Sequence, residues 1–320
     1  MFHALNKNLN FQLVLLVLLT GWAGWTIFTR MDICPPDGTM LLFQYITKVW
    51  AWNDILVRVF ALFMVIIMTF GVIQHFHKRH FSEGMSYMPG VFLLLLLNCG
   101  KFLHTFTPAL LTLFFITLIM VMYSPNEDAR RMKDRIFGFG LVIATATFLD
   151  VSAFGVVLFL IVMFAFNNVT SFKDILILLL GISFPYIWAF AIAFISNGTS
   201  SFAQSWRDLT LFVPVKTFTS LRVIDYIAMA WFVVATVVLM LRDKRLLDNK
   251  LIIIRQAFNN VNMLLISMLL FLFLGIVPLP VALLYLLTSE SAYLSIAVTH
   301  KRRWLLLDLL IVSMCVLLWL

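Results

Sequence analysis

Apolar runs long enough to cross a lipid bilayer follow one another along almost the whole of this chain. A helix needs roughly 20 apolar residues to traverse the hydrocarbon. Lipid offers no partner to a bare backbone N–H or C=O, so an open chain crosses only as helices. Measured with that ruler, the candidate spans are 11–28, 55–73, 87–100, 107–123, 136–149, 153–166, 174–196, 223–241, 258–276, 279–299 and 304–320. The expected fold is all-α: a polytopic transmembrane helix bundle of about eleven spans, forming one integral membrane domain over residues 1–320. The shortest runs are expected to extend into their loops or to sit inside the bundle. In 279–299 the tract Thr288-Ser-Glu-Ser291 interrupts the apolar pattern. It leaves three readings open: an acid inside a span, a broken helix or outer re-entrant turn, or a misplaced span.

Composition agrees with the bilayer. The chain is 62% hydrophobic and 12% charged, whereas soluble domains run nearer half apolar and a quarter charged. On a soluble fold this much apolar side chain would form large exposed patches. The net charge of +8 does not indicate nucleic acid, because the cations sit in short loops between apolar runs, where they report topology. With the N-terminus in the cytoplasm, sixteen of the 23 Lys and Arg fall inside. Outside are Arg30, Lys48, Arg58, Lys101, Arg207, Lys216 and Arg222. Lys7 followed by the apolar run Phe11–Phe28 resembles the front of a signal peptide, but Trp22 and Trp25 stand where a small-residue cleavage site would be needed. That run reads as a retained anchor helix.

Candidate chemistry gathers on the outer face. The outer loop 30–54 contains the turn sequence Pro35-Pro-Asp-Gly38, in which proline fixes φ and glycine accepts φ > 0. Leu41, Leu42, Tyr45, Ile46 and Val49 then follow at helical spacing, which predicts an interfacial helix. Such a helix either seals the bundle or forms a platform for a lipid-linked substrate. Asp32 and Asp37 are the candidate catalytic residues, as general base or ligand; the plainer alternatives are a turn residue at Asp37 and a pairing of Asp32 with Arg30. Lys101 and His104, in the turn after 87–100, are candidates for holding a phosphate or moving a proton, against a snorkelling lysine and a turn histidine. In the second outer loop, 197–222, Arg207 and Asp208 follow Trp206 as substrate-binding candidates or as a rim ion pair. Asp150 stands between two tight spans near the outer edge. Glu290 is the candidate intramembrane acid, which is a functional hypothesis by default.

No metal site is expected. His75, His77 and His80 lie in an inner loop among cations that would repel a metal ion, and His300 precedes Lys301-Arg-Arg303. A membrane iron oxygenase needs histidines converging within the bundle. The cysteines Cys34, Cys99 and Cys315 form no redox motif. Cys34 and Cys99 fall at outer ends, which permits a disulfide; the alternative is two soft hydrophobes. No cofactor is implied.

Four motifs carry a resemblance: Ser86-Tyr-Met-Pro89, Pro108-Ala-Leu110, Arg135-Ile-Phe-Gly-Phe-Gly140 and Gly181-Ile-Ser-Phe-Pro-Tyr186. Over about residues 80–190 the chain resembles an uncharacterised family of polytopic inner-membrane proteins of Bacteroidetes. The resemblance implies a Gram-negative inner membrane with the outer loops in the periplasm, and it assigns no catalytic residue. A looser architectural likeness, to membrane glycosyltransferases that use lipid-linked sugars, rests on the positions of loops 30–54 and 197–222. It implies a base at Asp32 or Asp37 and a lipid phosphate facing Lys101 or Arg207, although the first outer loop is short and lacks an adjacent acidic pair. Fold-level analogy is a weak warrant for function.

Three functions follow as expectations. The lack of a specific motif favours a non-catalytic subunit or partner of an envelope assembly machine, bound to another membrane protein. The outer loops suggest a glycosyltransferase-like protein handling a polyprenyl-linked glycan. Glu290 suggests a transporter or lipid flippase.

Overall fold

The computed structural model describes residues 8–33, 54–78, 86–122, 129–149, 172–195 and 279–299, with shorter helical pieces within 230–242, 258–267 and 311–316. The elements are α1 (Leu9–Arg30), β1 (Asp32–Ile33), α2 (Asp54–Lys78), α3 (Met88–Cys99), β2 (Thr105–Phe106), α4 (Pro108–Met122), α5 (Ala129–Leu149), α6 (Phe172–Ile195) and α7 (Leu279–Thr299). Apart from one two-residue strand pair they are all helices.

Among the described residues three helices are long and apolar enough to cross a membrane: α1, α2 over Asp54–His77, and α6 over Phe172–Ile192. Their surroundings must be apolar too. In α1 the residues Gln12, Leu16, Leu19, Ala23, Thr26 and Ile27 face the protein, while Phe11, Val14, Val17, Leu18, Trp22 and Trp25 are exposed. A helix in water keeps its apolar side chains on one stripe and polar ones opposite. Here both faces are apolar, and the same holds for α6, where Ile187, Trp188, Phe190, Ile192 and Phe194 are exposed.

α3 is the central post. Its 12 residues rise only about 18 Å at 1.5 Å each, too little to cross the hydrocarbon alone. All but Leu95 are buried, against α1, α2 and α7. Its start is held by α1: the Tyr87 N–H donates to Gln12 Oε1 at 2.8 Å, and the Met88 N–H donates to Ser86 Oγ at 3.3 Å. This explains a buried glutamine in an apolar helix, since its carbonyl serves a backbone donor that the α3 N-terminus leaves open.

Directions follow from the contacts. At one end of the bundle Arg58 of α2 donates to the carbonyls of Ile27 and Phe28 in α1, at 2.7 and 2.6 Å. At that end β1 pairs in parallel with β2, Asp32 opposite Thr105 and Ile33 opposite Phe106. At the opposite end a Cβ on Gly90 of α3 would meet Ile73 and Thr69 of α2 within 3 Å. The helices α1, α2 and α3 thus alternate in direction.

α5 and α6 run parallel. Gly140 meets Leu178 and Gly181, and further on along both helices Thr147 and Phe148 meet Tyr186. Small residues let backbones approach where lipid supplies no hydrophobic drive. Two of the tracts singled out in the sequence, Arg135-Ile-Phe-Gly-Phe-Gly140 and Gly181-Ile-Ser-Phe-Pro-Tyr186, meet at this crossing.

Several expected boundaries shift. α5 starts at Ala129 rather than 136, so Arg130, Arg131, Lys133 and Arg135 belong to its first turns. α2 runs on to Lys78, so His75 and His77 are helical rather than in the expected inner loop. The span 153–166, the interfacial helix after Pro36 and the loop 197–222 lie outside the described residues. The spans 223–241, 258–276 and 304–320 are described only in pieces, all helical.

Candidate site around the buried acid Glu290

The polar tract expected to interrupt 279–299 does not do so. α7 is one continuous helix from Leu279 to Thr299, so the broken-helix and re-entrant readings are corrected. The physical reason lies in where the tract is buried. Thr288, Ser289, Glu290 and Ser291 are all enclosed by protein, and the Ser291 hydroxyl donates back to the Thr288 carbonyl at 2.8 Å. Serine and threonine in a helix satisfy themselves in this way without opening the ladder.

Glu290 sits midway along α7 with no solvent exposure. Its Oε1 accepts from the Thr236 hydroxyl of the helical segment Val233–Arg242. Its Oε2 is buried without a hydrogen-bond partner, as are Ser289 Oγ and Ser295 Oγ. Positions i and i+3 are neighbours on a helix surface, and three residues on from Glu290 the Tyr293 hydroxyl donates to Asn262 Oδ1 at 2.5 Å. Phe258 meets the Tyr293 ring edge-on at 5.7 Å. A polar seam thus runs between α7 and two neighbouring helical segments, inside an otherwise apolar core.

This seam offers hard oxygen donors in a dry setting: one carboxyl group and several hydroxyls. Such a group takes up a proton or a small cation, since an uncompensated charge there is expensive. The described residues contain no cluster of three or more His, Cys, Asp or Glu able to hold a metal ion. Thr236 was not legible as a partner, because it is an isolated polar residue in a distant apolar run, and Asn262 reads as one of the three asparagines of Asn259-Asn-Val-Asn262.

The outer-face candidates separate. Asp32 is exposed, and its N–H donates to the His104 carbonyl at 2.8 Å. The His104 N–H donates to the Lys101 carbonyl at 3.0 Å. Lys101 is exposed and takes φ 55°, the left-handed region that glycine prefers. The structure therefore brings Asp32, Lys101 and His104 together at one end of the bundle. His104 is pulled below the usual histidine range, first by burial and then by the Arg30 and Lys101 cations. Asp37, Arg207, Asp208 and Asp150 lie outside the described residues.

Cys34 is also outside them, and Cys99 does not carry a disulfide: it is a free thiol, as is Cys315, whose thiol lies near enough to influence it. No protein-family model, curated protein or solved structure matches this chain.

Proposed function

We propose that this is a multi-pass inner-membrane protein of about eleven spans, N-terminus cytoplasmic, working as a proton- or cation-linked transporter or flippase with Glu290 as its coupling acid. One observation carries the reading. Glu290 lies midway along the 21-residue helix α7, fully buried, with one carboxyl oxygen unpartnered. Buried polar atoms in native proteins are overwhelmingly paired, and uptake of a proton or a small cation would account for this exception.

The test is carbodiimide labelling of the whole protein in lipid vesicles. Dicyclohexylcarbodiimide is itself apolar and attacks neutral carboxyls within membranes. The reading expects one labelled site at Glu290, with labelling that falls as pH or Na⁺ is raised. Vesicles loaded with a pH-sensitive dye should also show gradient-driven proton movement that is lost in Glu290→Gln. A carboxyl that stays unlabelled at every pH would mark a sealed structural contact and sink the proposal.

A second reading, the glycosyltransferase-like one, is supported by the β1–β2 pairing, which sets Asp32 beside the Lys101–His104 turn. It expects polyprenyl phosphate to protect Lys101 from amine-reactive labelling. Lack of protection at saturating lipid counts against it.

A further inference from the structure

A cleft of about 700 Å³ lies far from the strand-paired end, between the C-terminal halves of α2 and α4. This volume falls within the range of small-molecule and lipid sites. Its polarity is graded along the helices. Ile66, Ile67 and Phe70 of α2 face Phe114, Thr117 and Leu118 of α4. Gln74, His77, Ser86 and Tyr87 line it toward the end of the bundle where α3 begins.

Three features define what fits. First, the cleft is open on one side, and α2 exposes Phe63 and Phe70 beside it, so it opens onto the lipid-facing surface. Second, its polar end is fixed rather than collapsible: Gln12 holds the Tyr87 N–H, and Gly90 lets α3 sit directly on Ile73 and Thr69. Third, that end is cationic in sequence. Lys78 and Arg79 follow His77, and Arg130, Arg131, Lys133 and Arg135 open α5 a short connection after α4 ends. The same tracts hold four acids, Glu83, Glu127, Asp128 and Asp134, against these six cations, which leaves a net charge of +2. Basic clusters beside transmembrane helices bind anionic head groups.

We propose that this cleft seats one anionic phospholipid, with an acyl chain along Ile66, Phe70, Phe114 and Leu118 and the phosphate at the Gln74–His77 mouth. The occupant is amphipathic because the cleft is. It is anionic because the sequence tracts that flank this end of α2 and α4, 78–86 and 127–135, are net positive. The site rests on the membrane reading but not on any role for Glu290, so the two can fail separately.

The test uses the full chain, delipidated in detergent and titrated with phosphatidylglycerol or phosphatidylethanolamine, with bound lipid counted by native mass spectrometry. One phosphatidylglycerol should be retained, about fivefold or more in preference to phosphatidylethanolamine. The double variant Gln74→Glu with His77→Glu changes two exposed side chains and should abolish that preference. Ile67→Trp should reduce retention of both lipids by filling the cleft. Equal retention of the two lipids by the native chain, or a preference unchanged by the charge reversal, overturns the proposal. Glu290→Gln should leave retention as it is.

Discussion

Gly140 and Gly181 touch backbone to backbone: a Cβ built on Gly140 would stand 2.8 Å from the Gly181 Cα and 2.6 Å from the Leu178 carbonyl oxygen. A Cβ on Gly181 would meet the Phe137 carbonyl oxygen at 2.5 Å. No flexible side chain is available to yield, so the helices themselves must part. Pro185 adds to the arrangement, since it has no N–H to offer the carbonyl four residues back, at Gly181.

A matched pair of alanine variants follows from this crossing. Gly138 lies two residues before Gly140 with nothing within 4 Å of its added Cβ. Gly138→Ala should be neutral or stabilising by up to about 1 kcal/mol, because alanine is the better helix former. Gly140→Ala should destabilise by about 1–3 kcal/mol through overpacking. Thermal unfolding in detergent separates the two, and equal shifts would contradict the crossing.

Glu290 and Thr236 belong to different helices and are joined by one buried hydrogen bond. Thr236→Val leaves the carboxyl with a second unserved oxygen and should destabilise the protein. Glu290→Leu removes the acid and its desolvation cost together. Combining the two changes should recover part of the loss, with a coupling of about 1 kcal/mol, typical of hydrogen bonds between membrane helices. Unfolding of all four proteins completes the cycle, and strict additivity would show that the pair does not interact.

These two contacts show what sequence reasoning reaches. Apolar run length placed α1, α2, α4, α6 and α7 to within a few residues, because the bilayer constrains length directly. It erred at the start of α5, where Arg130 to Arg135 are helical: a helix extends beyond the hydrocarbon, and hydropathy does not register that extension. The tract Thr288–Ser291 looked like a break because hydropathy counts polar atoms without knowing what encloses them. Glu290 was visible as an anomaly. Its partner Thr236 was not, since one threonine in an apolar run carries no address. The Gly140 and Gly181 motifs were visible as punctuation, and only the parallel packing of α5 and α6 shows that they meet.

The turn at 100–107 should make stability depend on pH. Burial and two nearby cations favour the neutral form of His104, lowering its value below 6.5. The unfolded chain then takes up this proton before the folded one does as pH falls. Stability is therefore full above about 6.5 and declines as pH drops below it. His104→Gln should flatten that part of the profile between pH 7.5 and 5. Lys101→Gly relieves the left-handed φ, worth about 1 kcal/mol, and removes a repelling cation, so it should raise stability and narrow the window. A pH profile unchanged in both variants would assign the dependence elsewhere.

The proximity of Cys99 and Cys315 tests the assembly of the bundle over the longest sequence separation. Cys99 ends α3, the buried central helix, and Cys315 lies in a helical piece near the C-terminus that also offers Ser313 to the Trp231 indole at 3.0 Å. Two neighbouring thiols need little backbone movement to join. Mild oxidation with diamide, whose azo bond accepts the two electrons and two protons released, should give an intramolecular disulfide. Mass spectrometry would find a peptide linking 99 to 315 and two alkylation sites lost together. Cys34→Ala should leave the yield unchanged, whereas Cys315→Ala should abolish it. A cross-link from Cys99 to Cys34 instead would mean that the C-terminal piece packs somewhere other than against α3.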